Sequence, residues 1–387
     1  MREFWFQLQT VVPRVDDEDY AAAILERPVA TYCGESLREV VAGRRVLVTG
    51  AGGFIGGALV RLIASLGPKR LVLIENGEHA LYSIDAQLAQ RHPALPRRAL
   101  YCDVRDAVSV NRGFAEERPQ IVFHAAALKQ LPLMEAHPRE AVLTNTIGAL
   151  NVARAAEPAG ARAAILISTD KAVRASSVLG ASKRLAEAWF QAMDLAGGAT
   201  RFGSVRFGNV FGSTGSVVPL FHRQIEAGGP VTLTDERMTR YFMTRAEAAG
   251  LVLSAAGLVL KEEDRGHLYL LETGPAVPIA ELARRMILRS GGRVDEIGIA
   301  VIGARPGERL SERLIHDQEE AMPTDVDGVR RLSPRSWSLA IMRQQMIELE
   351  RACGEENDER LWRLLSRFVP GFAQPLDSER QLACGEA

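Results

Sequence analysis

The sequence has no apolar run that approaches the roughly 18 residues needed to span a bilayer, so no integral membrane segment is expected. It also has no excess of one charge, because 47 lysine and arginine residues balance 48 acidic residues. No basic field therefore favours nucleic acid or an anionic membrane as a partner. The remaining composition, with 47% apolar and 25% charged residues in a chain of 387, is typical of a soluble globular protein.

Cysteine is scarce as well. The four cysteines are Cys33, Cys102, Cys353 and Cys384. They show no metal-ligand spacing, so no metal is expected and a reducing cytoplasm is the simplest location. The N-terminal stretch MREFWFQLQTVV is too short for a signal peptide and carries no clear cleavage signal. Its aromatic residues at positions 4–6 either cover the protein's own body or touch a membrane surface or a partner.

From Arg44 onwards, short apolar runs alternate with stretches of helical periodicity. The runs predict buried parallel strands, and they are RRVLVTG, RLVLIE, RALYCDV, IVFHAAA, AAILIST and TRFGSVRFGNV. Their alternation with helices predicts an α/β fold, a doubly wound (Rossmann) parallel sheet with helices on both faces.

After Phe211 this regularity ends, and the short strand HLYLLET and the helix IAELARRMILRS suit a smaller substrate-binding lobe. Helices are predicted at 336–352 and 357–368. The chain is therefore divided into an N-terminal arm at 1–42, a nucleotide-binding Rossmann domain at 43–211, a substrate-binding lobe with C-terminal helices at 212–375, and a tail at 376–387.

The first predicted strand ends in VTGAGGFIG, which places Gly50, Gly53 and Gly56 between a strand and a helix. Glycine at these positions permits a tight turn, backbone approach to a pyrophosphate and close helix–sheet contact. The helix N-terminus, at Phe54 and Ile55, supplies amide donors to phosphates. This strand–turn–helix context predicts a dinucleotide site rather than a merely structural turn.

Acidic residues at the ends of the next two strands indicate which dinucleotide binds. Glu75 ends the second strand, where a carboxylate accepts hydrogen bonds from ribose hydroxyls and repels a 2′-phosphate. NAD is therefore favoured over NADP as the cofactor. Asp103 and Val104 follow the third strand, where adenine is expected, although Asp103 could instead be a simple turn or cap residue.

The fourth strand ends in HAAA. The small side chains of Ala125 and Ala126 leave room for the cofactor, so both are assigned to its site. His124 could be a catalytic base, but a neutral structural histidine beside the cofactor fits this position better.

Several stretches occur together, in one order, over roughly residues 22–372. They are GRRVLVTGAGGFIG, HAAALKQLPLMEAHP, STDKAV, GASKRLAE, VRFGNVFGSTGSVVPLF, MTRYFM and ARPGERLSERL. The chain resembles nucleotide-sugar 4,6-dehydratases of the extended short-chain dehydrogenase superfamily. More narrowly, it resembles the catalytic domain of bacterial, CapD-like UDP-N-acetylglucosamine 4,6-dehydratases of polysaccharide biosynthesis. The resemblance implies an NAD cofactor, a UDP-sugar substrate and a homo-oligomer, at least a dimer.

The implied activity is formation of a UDP-2-acetamido-2,6-dideoxy-4-hexulose. It proceeds by transient oxidation at C4, loss of water across C5–C6 and hydride return to C6, with the C5 configuration retained. By resemblance, Lys171 is the C5 base, Asp170 the C6 acid and Thr169 a hydrogen-bond partner of the C4 oxygen. Lys183 is expected to bind the nicotinamide ribose. The alternative for this motif is a loop with a surface Asp–Lys pair.

This chain departs from the family pattern near the implied chemistry. Position 179, one helical turn before Lys183, is tyrosine or methionine in the family and Leu179 here. Leucine has no proton to move, so removal of the C4 hydroxyl proton passes to a side chain of the STDK motif. The usual Pro-x-Asn is replaced by residues 175–177, ASS, and Phe54 stands where the long members have serine.

Substrate-binding positions are also implied by the resemblance. Asn209, Ser216, Arg240 and Arg305 match positions that hold the diphosphate and uridine, and Lys129 is assigned to the sugar pocket. Arginine suits a diphosphate because its guanidinium makes forked bonds to phosphate oxygens, although either arginine could instead be a structural ion pair.

Two other functions stay open on the sequence. A nucleotide-sugar C4 epimerase uses the same cofactor and fold, but it usually needs the tyrosine and has no role for Thr-Asp-Lys. A catalytically weak NAD-binding homologue is supported by Leu179 and opposed by the intact STDK motif.

Overall fold

The computed structural model describes residues 18–30, 32, 34–305, 307–333, 337–355 and 357–373. The predicted aromatic cluster at residues 4–6 and the tail at 376–387 lie outside these residues. Within the described part of the chain, no helix is long and apolar enough to cross a membrane. No cluster of histidine, cysteine and acidic side chains suited to a metal ion occurs among the same residues.

The strands are β1 (Arg45–Thr49), β2 (Arg70–Glu75), β3 (Arg97–Tyr101), β4 (Ile121–His124), β5 (Ala163–Ile167), β6 (Arg201–Arg206), β7 (Asn209–Val210), β8 (Val231–Leu233), β9 (Thr239–Met243), β10 (Leu268–Leu271), β11 (Ala276–Pro278), β12 (Ile299–Val301), β13 (Ala321–Pro323) and β14 (Val329–Leu332). The helices are α1 (Glu18–Leu25), α2 (Glu35–Val41), α3 (Phe54–Ser65), α4 (Glu78–Arg91), α5 (Ala107–Glu117), α6 (Leu131–Ala136), α7 (Pro138–Ala141), α8 (Gly148–Ala156), α9 (Val178–Leu195), α10 (Val217–Glu226), α11 (Arg245–Lys261), α12 (Ile279–Arg289), α13 (Val294–Ile297), α14 (Leu339–Gly354) and α15 (Asp358–Phe368). A π-helical turn covers Val142–Ile147, and a 3₁₀ turn covers Asp170–Ala172.

The central sheet has the order β13-β14-β10-β6-β5-β4-β1-β2-β3. From β3 across to β10 every neighbouring pair is parallel, whereas β14 and β13 are antiparallel additions. The predicted doubly wound sheet is therefore confirmed. The strand order reverses between β1 and β4, and in such sheets a crevice opens there, outside the carboxyl ends of the strands.

Apolar residues fill both faces of this sheet, which explains why the strands are continuous apolar runs. Along β1, Leu47 contributes to one cluster while Val46 and Val48 contribute to the other. Helices α5, α8 and α9 cover the first face, and α2, α3 and α11 cover the second.

A second lobe has its own core, built from β8, β9, α10 and α12. Helix α1 belongs to this core, because Tyr20 and Ile24 are buried in it. Arg27, just after α1, donates to both carboxylate oxygens of Glu247 at 2.7 and 2.8 Å. Glu247 also closes the N-terminal capping box of α11 with Thr244. The described part of the predicted N-terminal arm thus lies on the protein's own body.

The packing does not follow the predicted division at Phe211. Helices α14 and α15 contact the nucleotide-binding side, where Met342 and Met346 join the cluster that contains Trp189 of α9. Strands β10 and β14 extend the central sheet instead of joining the second lobe. Periodicity identified these elements but carried no information about which layer they would join.

The ion pair of Arg27 and Glu247 should stabilise the junction of α1 with α11. Its side chains are only 19% and 5% exposed, so Arg27→Met leaves a buried carboxylate without its partner. We expect a loss of about 1–3 kcal/mol in the free energy of unfolding, measured by urea denaturation. Lys261→Met is the control, because its pair with Glu39 is exposed and should be worth under about 1 kcal/mol. Equal losses in the two variants would contradict this role.

Candidate active site

A cleft of about 670 Å³ opens at the carboxyl ends of β1, β4 and β5 and is closed on its far side by the second lobe. The predicted site residues that line it are Gly53, Phe54, Ile55, Gly56, Ala125, Lys129, Thr169, Lys171, Lys183, Asn209, Ser216, Arg240 and Arg305. Those outside the lining are Gly50, Glu75, Asp103, Val104, Ala126 and Asp170. Residues from both predicted domains therefore meet in one cavity.

The glycine loop after β1 is packed too tightly for side chains at two of its three glycines. Gly50 has a φ of 63°, and a Cβ on it would lie 2.6 Å from the Ala126 nitrogen. A Cβ on Gly56 would lie 1.9 Å from the Gly50 oxygen. Gly53 instead faces the cleft at the N-terminus of α3. The loop thus presents bare backbone and a helix N-terminus to the cavity, which suits a phosphate group.

Glu75 holds this loop from the end of β2. Its carboxylate accepts hydrogen bonds from the backbone nitrogens of Gly52 at 3.0 Å, Asn76 at 3.0 Å and Gly77 at 3.1 Å. A carboxylate has about four lone-pair sites, so one remains for a further donor. The ribose contact predicted for Glu75 stays a prediction, and the loop-holding contacts were not predicted.

Asp103 and Val104 have structural partners of their own. The Asp103 carboxylate accepts hydrogen bonds from the Arg105 guanidinium at 2.8 and 2.6 Å. Burial alone would raise the pKa of Asp103, but these hydrogen bonds outweigh it and lower the pKa. Val104 is buried against Gly148. The turn alternative for Asp103 has geometric support, and its adenine contact stays a prediction.

His124 is a neutral structural histidine by its surroundings. Its Nδ1 lies 2.7 Å from the Thr49 hydroxyl, and its ring is fully buried at the end of β4. Burial, aided by the positive charge of Lys183, lowers the pKa of His124 to about 3. The ring is therefore uncharged near neutral pH, in agreement with the interpretation favoured from the sequence.

The STDK motif follows β5 directly and places Lys171 in the cleft lining, with the fully buried Asp170 paired to it. Lys171 Nζ donates to Asp170 Oδ1 at 3.0 Å and to Asn209 Oδ1 at 3.3 Å. Thr169 donates to the same Asp170 oxygen at 2.9 Å, whereas Oδ2 is buried with no partner among the described residues. The alternative of a surface Asp–Lys pair is excluded, because the Asp170 side chain is 0% exposed.

Helix α9 carries the next two predicted positions. Ser177 begins it as an N-cap, accepting a hydrogen bond from the Gly180 nitrogen at 3.1 Å. Leu179 is buried in the cleft wall, so it fills space as expected for an inert side chain. One turn later, Lys183 Nζ donates to the Ile167 carbonyl at 2.8 Å, and burial lowers the pKa of Lys183 to about 8.

Two of the predicted substrate residues have clear local settings. Ser216 precedes α10, and its buried hydroxyl has no partner among the described residues. Lys129 lies in the open cleft, where partial burial and the positive charge of Lys171 lower its pKa. Asn209, in contrast, orients Lys171 in this structure, so its predicted diphosphate contact stays a prediction.

The two arginines predicted to bind the diphosphate differ in their hydrogen-bond partners. The Arg240 guanidinium donates to the backbone carbonyls of Thr239 at 2.7 Å, Leu310 at 3.2 Å and Arg309 at 2.8 Å. It therefore fixes a chain segment, which is a structural role. Arg305 is exposed at the cleft, and no hydrogen bond of its guanidinium is found among the described residues.

With this geometry in place, a protein-family model described as polysaccharide biosynthesis protein matches residues 46–334. The chain belongs to this family. The resemblance inferred from the sequence motifs is therefore confirmed at the level of the family.

The similar proteins carry names that describe different reactions. The capsular polysaccharide biosynthesis protein CapD of Staphylococcus aureus is 43% identical over 277 residues, covering 71% of this chain and 46% of CapD. A UDP-glucose 4-epimerase of Rickettsia typhi is 36% identical over 250 residues, covering 64% and 70%. An inverting UDP-N-acetylglucosamine 4,6-dehydratase of Campylobacter jejuni is 30% identical over 295 residues, covering 75% and 83%. The chain spans about half the length of CapD.

Solved structures agree on the fold. Pen from Bacillus thuringiensis superposes with a TM-score of 0.68 at 27% identity, covering 80% of this chain and 99% of Pen. The dTDP-glucose 4,6-dehydratase DesIV of Streptomyces venezuelae, solved with NAD bound, gives a TM-score of 0.61 at 20% identity, covering 70% and 88%. The second likeness supports the shared fold alone.

In this member of the polysaccharide biosynthesis family, several site residues escaped sequence reasoning. Asn145, in the π-helical turn, exchanges hydrogen bonds with the backbone of Leu128 at 2.8 and 3.0 Å, next to Lys129. Glu312 is buried in the cleft wall. A polar residue inside an apolar helical stretch was the available signal for Asn145, and a second glutamate in ARPGERLSERL was the signal for Glu312.

A buried ion-pair network lies behind the STDK motif. Arg206, at the end of β6, donates to Glu187 of α9 at 3.1 and 2.8 Å and to Glu319 at 2.8 and 3.1 Å. Burial would lower the pKa of Arg206, but the two glutamates outweigh it and raise the pKa. Glu187 also accepts a hydrogen bond from the Ser168 hydroxyl at 2.7 Å.

The tight glycine loop of this family member can be tested by adding one methyl group. Gly56→Ala would force a Cβ against the Gly50 backbone oxygen, which no side-chain rotation relieves. We expect a loss of about 1–3 kcal/mol in stability, seen as a lower melting temperature. Gly57→Ala is the control, because its Cβ would meet the end of the Arg61 side chain at 3.1 Å and the Ala51 oxygen at an ordinary contact distance of 3.5 Å. A normal melting temperature for Gly56→Ala would show that the loop is looser than described.

Proposed function

We propose that this chain is an NAD-dependent nucleotide-sugar 4,6-dehydratase that acts on UDP-N-acetylglucosamine. The observation that carries the proposal is the Asp170–Lys171 pair, joined at 3.0 Å at the carboxyl end of β5. Lys171 faces the cleft, and the cleft also contains Lys183 and the glycine loop. A carboxyl and an amine held together at one edge of a cofactor-sized cavity suit paired removal and donation of protons.

The proposed NAD site fits the residues around the glycine loop. The chemistry that bound NAD would supply is reversible uptake of a hydride from C4 and its return to C6. The amides at the N-terminus of α3 would hold the pyrophosphate, because Gly53 brings the loop backbone to the cleft surface. The free lone-pair site of Glu75 would accept a ribose hydroxyl, and Lys183 would contact the nicotinamide ribose. Glu75 favours NAD over NADP, because a 2′-phosphate would meet its negative charge.

The proton steps are assigned to the STDK side chains. Asp170 first takes the C4 hydroxyl proton and later gives a proton to the departing C6 hydroxyl. Lys171, in its neutral form, takes the C5 proton and later returns a proton to C5. Thr169 is expected to hold the C4 oxygen. Asp170 is the best acceptor for the C4 proton because Leu179 has none to exchange, and its buried Oδ2 has no competing partner among the described residues.

The proposed substrate has a UDP group, and the second lobe offers an anion site for it. Ser216 and the N-terminus of α10 face the cleft. Arg305 is exposed in the cleft lining, and its guanidinium N–H groups have no partner among the described residues. Arg240 would assist by fixing the segment that follows Arg305 rather than by binding phosphate. The Campylobacter jejuni relative supports UDP-N-acetylglucosamine as the sugar, while retention at C5 is proposed from the sequence resemblance alone.

A nucleotide-sugar 4-epimerase is the second candidate, because the Rickettsia typhi relative is 36% identical to this chain. Epimerization requires a proton to leave and return at the C4 oxygen and needs no acid at C6. The buried Asp170–Lys171 pair would have no second task in that reaction. Dehydration is therefore the better match to the site.

The proposed reaction predicts a specific product. Incubated with UDP-N-acetylglucosamine and NAD, the protein should yield a 4-keto-6-deoxy sugar with no net formation of NADH. A proton NMR time course in D₂O should show a C6 methyl signal and report the C5 configuration. Formation of the C4 epimer would support the second candidate, and stoichiometric accumulation of NADH would contradict both.

Removal of the proposed C5 base should stop proton exchange at C5. Lys171→Ala is expected to reduce turnover by ~10²–10⁴-fold, because that is the usual contribution of a general base. Its melting temperature should fall as well, because the fully buried Asp170 loses its ion-pair partner, so turnover is measured below the melting transition of the variant. Lys69→Ala, at an exposed lysine outside the cleft, is the control. Normal deuterium incorporation at C5 in Lys171→Ala would move the base elsewhere, with Lys129 the next candidate.

A further inference from the structure

Glu312 differs from every other buried acidic residue in the described part of the chain. These residues are Glu117, Asp170, Glu187, Asp194, Glu247 and Glu312. The first five each accept a hydrogen bond from an arginine or lysine side chain. Glu312 is 8% exposed, yet no hydrogen bond or ion pair of its carboxylate is found among the described residues. A largely buried carboxylate without a charged partner is costly, so this one, which lines the cleft, needs a reason.

The chain on both sides of Glu312 is anchored by buried arginines. Arg240 donates to the carbonyls of Arg309 and Leu310, and Leu310 also accepts from the Thr239 nitrogen at 2.8 Å. On the other side, Arg206 donates to the Leu314 carbonyl at 3.3 Å. The backbone on both sides of Glu312 is therefore fixed. Moving Glu312 out of the cleft wall would break these backbone hydrogen bonds.

The charges around Glu312 come from the candidate catalytic pair and from two arginines. Burial and the negative charge of Asp170 raise the pKa of Glu312, while Lys171, Arg240 and Arg309 oppose that rise. The net pKa is raised above the usual value of a glutamate. Glu312 therefore binds a proton more readily than an ordinary glutamate, and it lines the same cleft as Lys171.

The proposed reaction leaves one proton without an acceptor. Lys171 donates to Asp170 in an ion pair, but only a neutral amine can remove the C5 proton. Asp170 cannot take the extra proton of Lys171, because it receives the proton of the C4 hydroxyl. We propose that Glu312 is the acceptor that holds the Lys171 proton during turnover and returns it at the end. This inference rests on the dehydratase function proposed above.

With Glu312 included, the protons balance over one turnover. The C4 hydroxyl proton passes to Asp170, and the ammonium proton of Lys171 passes through one bridging water in the cleft to Glu312, because the two side chains lie beyond ion-pair distance. Lys171 then takes the C5 proton while Asp170 protonates the C6 hydroxyl, which leaves as water. Lys171 returns a proton to C5, and Glu312 returns its proton to Lys171. All three side chains end in their starting states, and the sugar has lost one water.

The test is a pH profile of Glu312→Gln. In the parent protein Glu312 must be ionised to accept a proton, so turnover should fall as pH falls through its raised pKa. The glutamine variant has no acceptor, so we expect kcat near neutral pH to drop by ~10²-fold with KM changed only a few-fold. Its activity should recover as pH rises, because the Lys171 proton can then leave to solvent. Glu320→Gln is the matched control, since Glu320 is exposed on the same segment.

A second measurement needs no turnover. Infrared difference spectra across a pH titration should show a protonated-carboxyl band in the parent protein that Glu312→Gln lacks. An unchanged rate and pH profile in Glu312→Gln would overturn the inference while leaving the dehydratase function standing. A constant loss at every pH, with the infrared band still present, would also overturn it. A parent protein that makes no 4-keto-6-deoxy sugar would instead refute the proposed function, whatever the variant does.

Discussion

The buried guanidinium of Arg206 joins two parts of the cleft wall that are distant in the sequence, the STDK motif and the segment that carries Glu312. It pairs with Glu187 on α9 and with Glu319, which is more than 100 residues further along the chain. A buried charge that loses its partner costs about 3–5 kcal/mol, so neither glutamate can leave without destabilising the fold. Because Glu187 also holds Ser168, the same ion pairs fix the STDK motif and the segment that carries Glu312. The relative position of these groups is therefore a property of the core rather than of flexible loops.

This arrangement explains how a charged pair can be reactive in a rigid setting. Most buried charges in the described structure are paired with hydrogen-bonded partners of opposite charge. Asp170 and Lys171 are joined to each other on one side only, since Asp170 Oδ2 has no partner among the described residues. The Glu312 carboxylate likewise makes no hydrogen bond to any of the described residues. Three incompletely satisfied polar groups, Asp170, Ser216 and Glu312, thus lie in or directly behind the cleft wall, where a substrate would complete them.

The sheet was predictable because its signals are local. Continuous apolar runs and a glycine turn identified β1 to β6, and most of the residues that the family motifs singled out line one cleft. The pairing of charged groups was not predictable from the same motifs. Arg240 occurs in a stretch that suggested phosphate binding, yet its guanidinium donates to carbonyls 69 and 70 residues away. A short stretch of sequence shows that an arginine is present but not which distant backbone carbonyls it will contact. The packing of α14 and α15 against the nucleotide-binding side was not predicted for the same reason.

The departures from the family motifs can be judged by the atoms that each replacement supplies. Ser177 stands where asparagine is usual, and both residues are favourable N-caps, so the start of α9 keeps its hydrogen bond. Leu179 supplies volume but no proton, and its burial keeps the cleft wall apolar beside the charged pair. A tyrosine there would bring an exchangeable proton of its own and relieve Asp170 of one task. With leucine in its place, every proton of the proposed reaction must move among Asp170, Lys171 and Glu312. The position of the Glu312 carboxylate in the cleft wall is then a requirement of the proposed chemistry rather than an accident of packing.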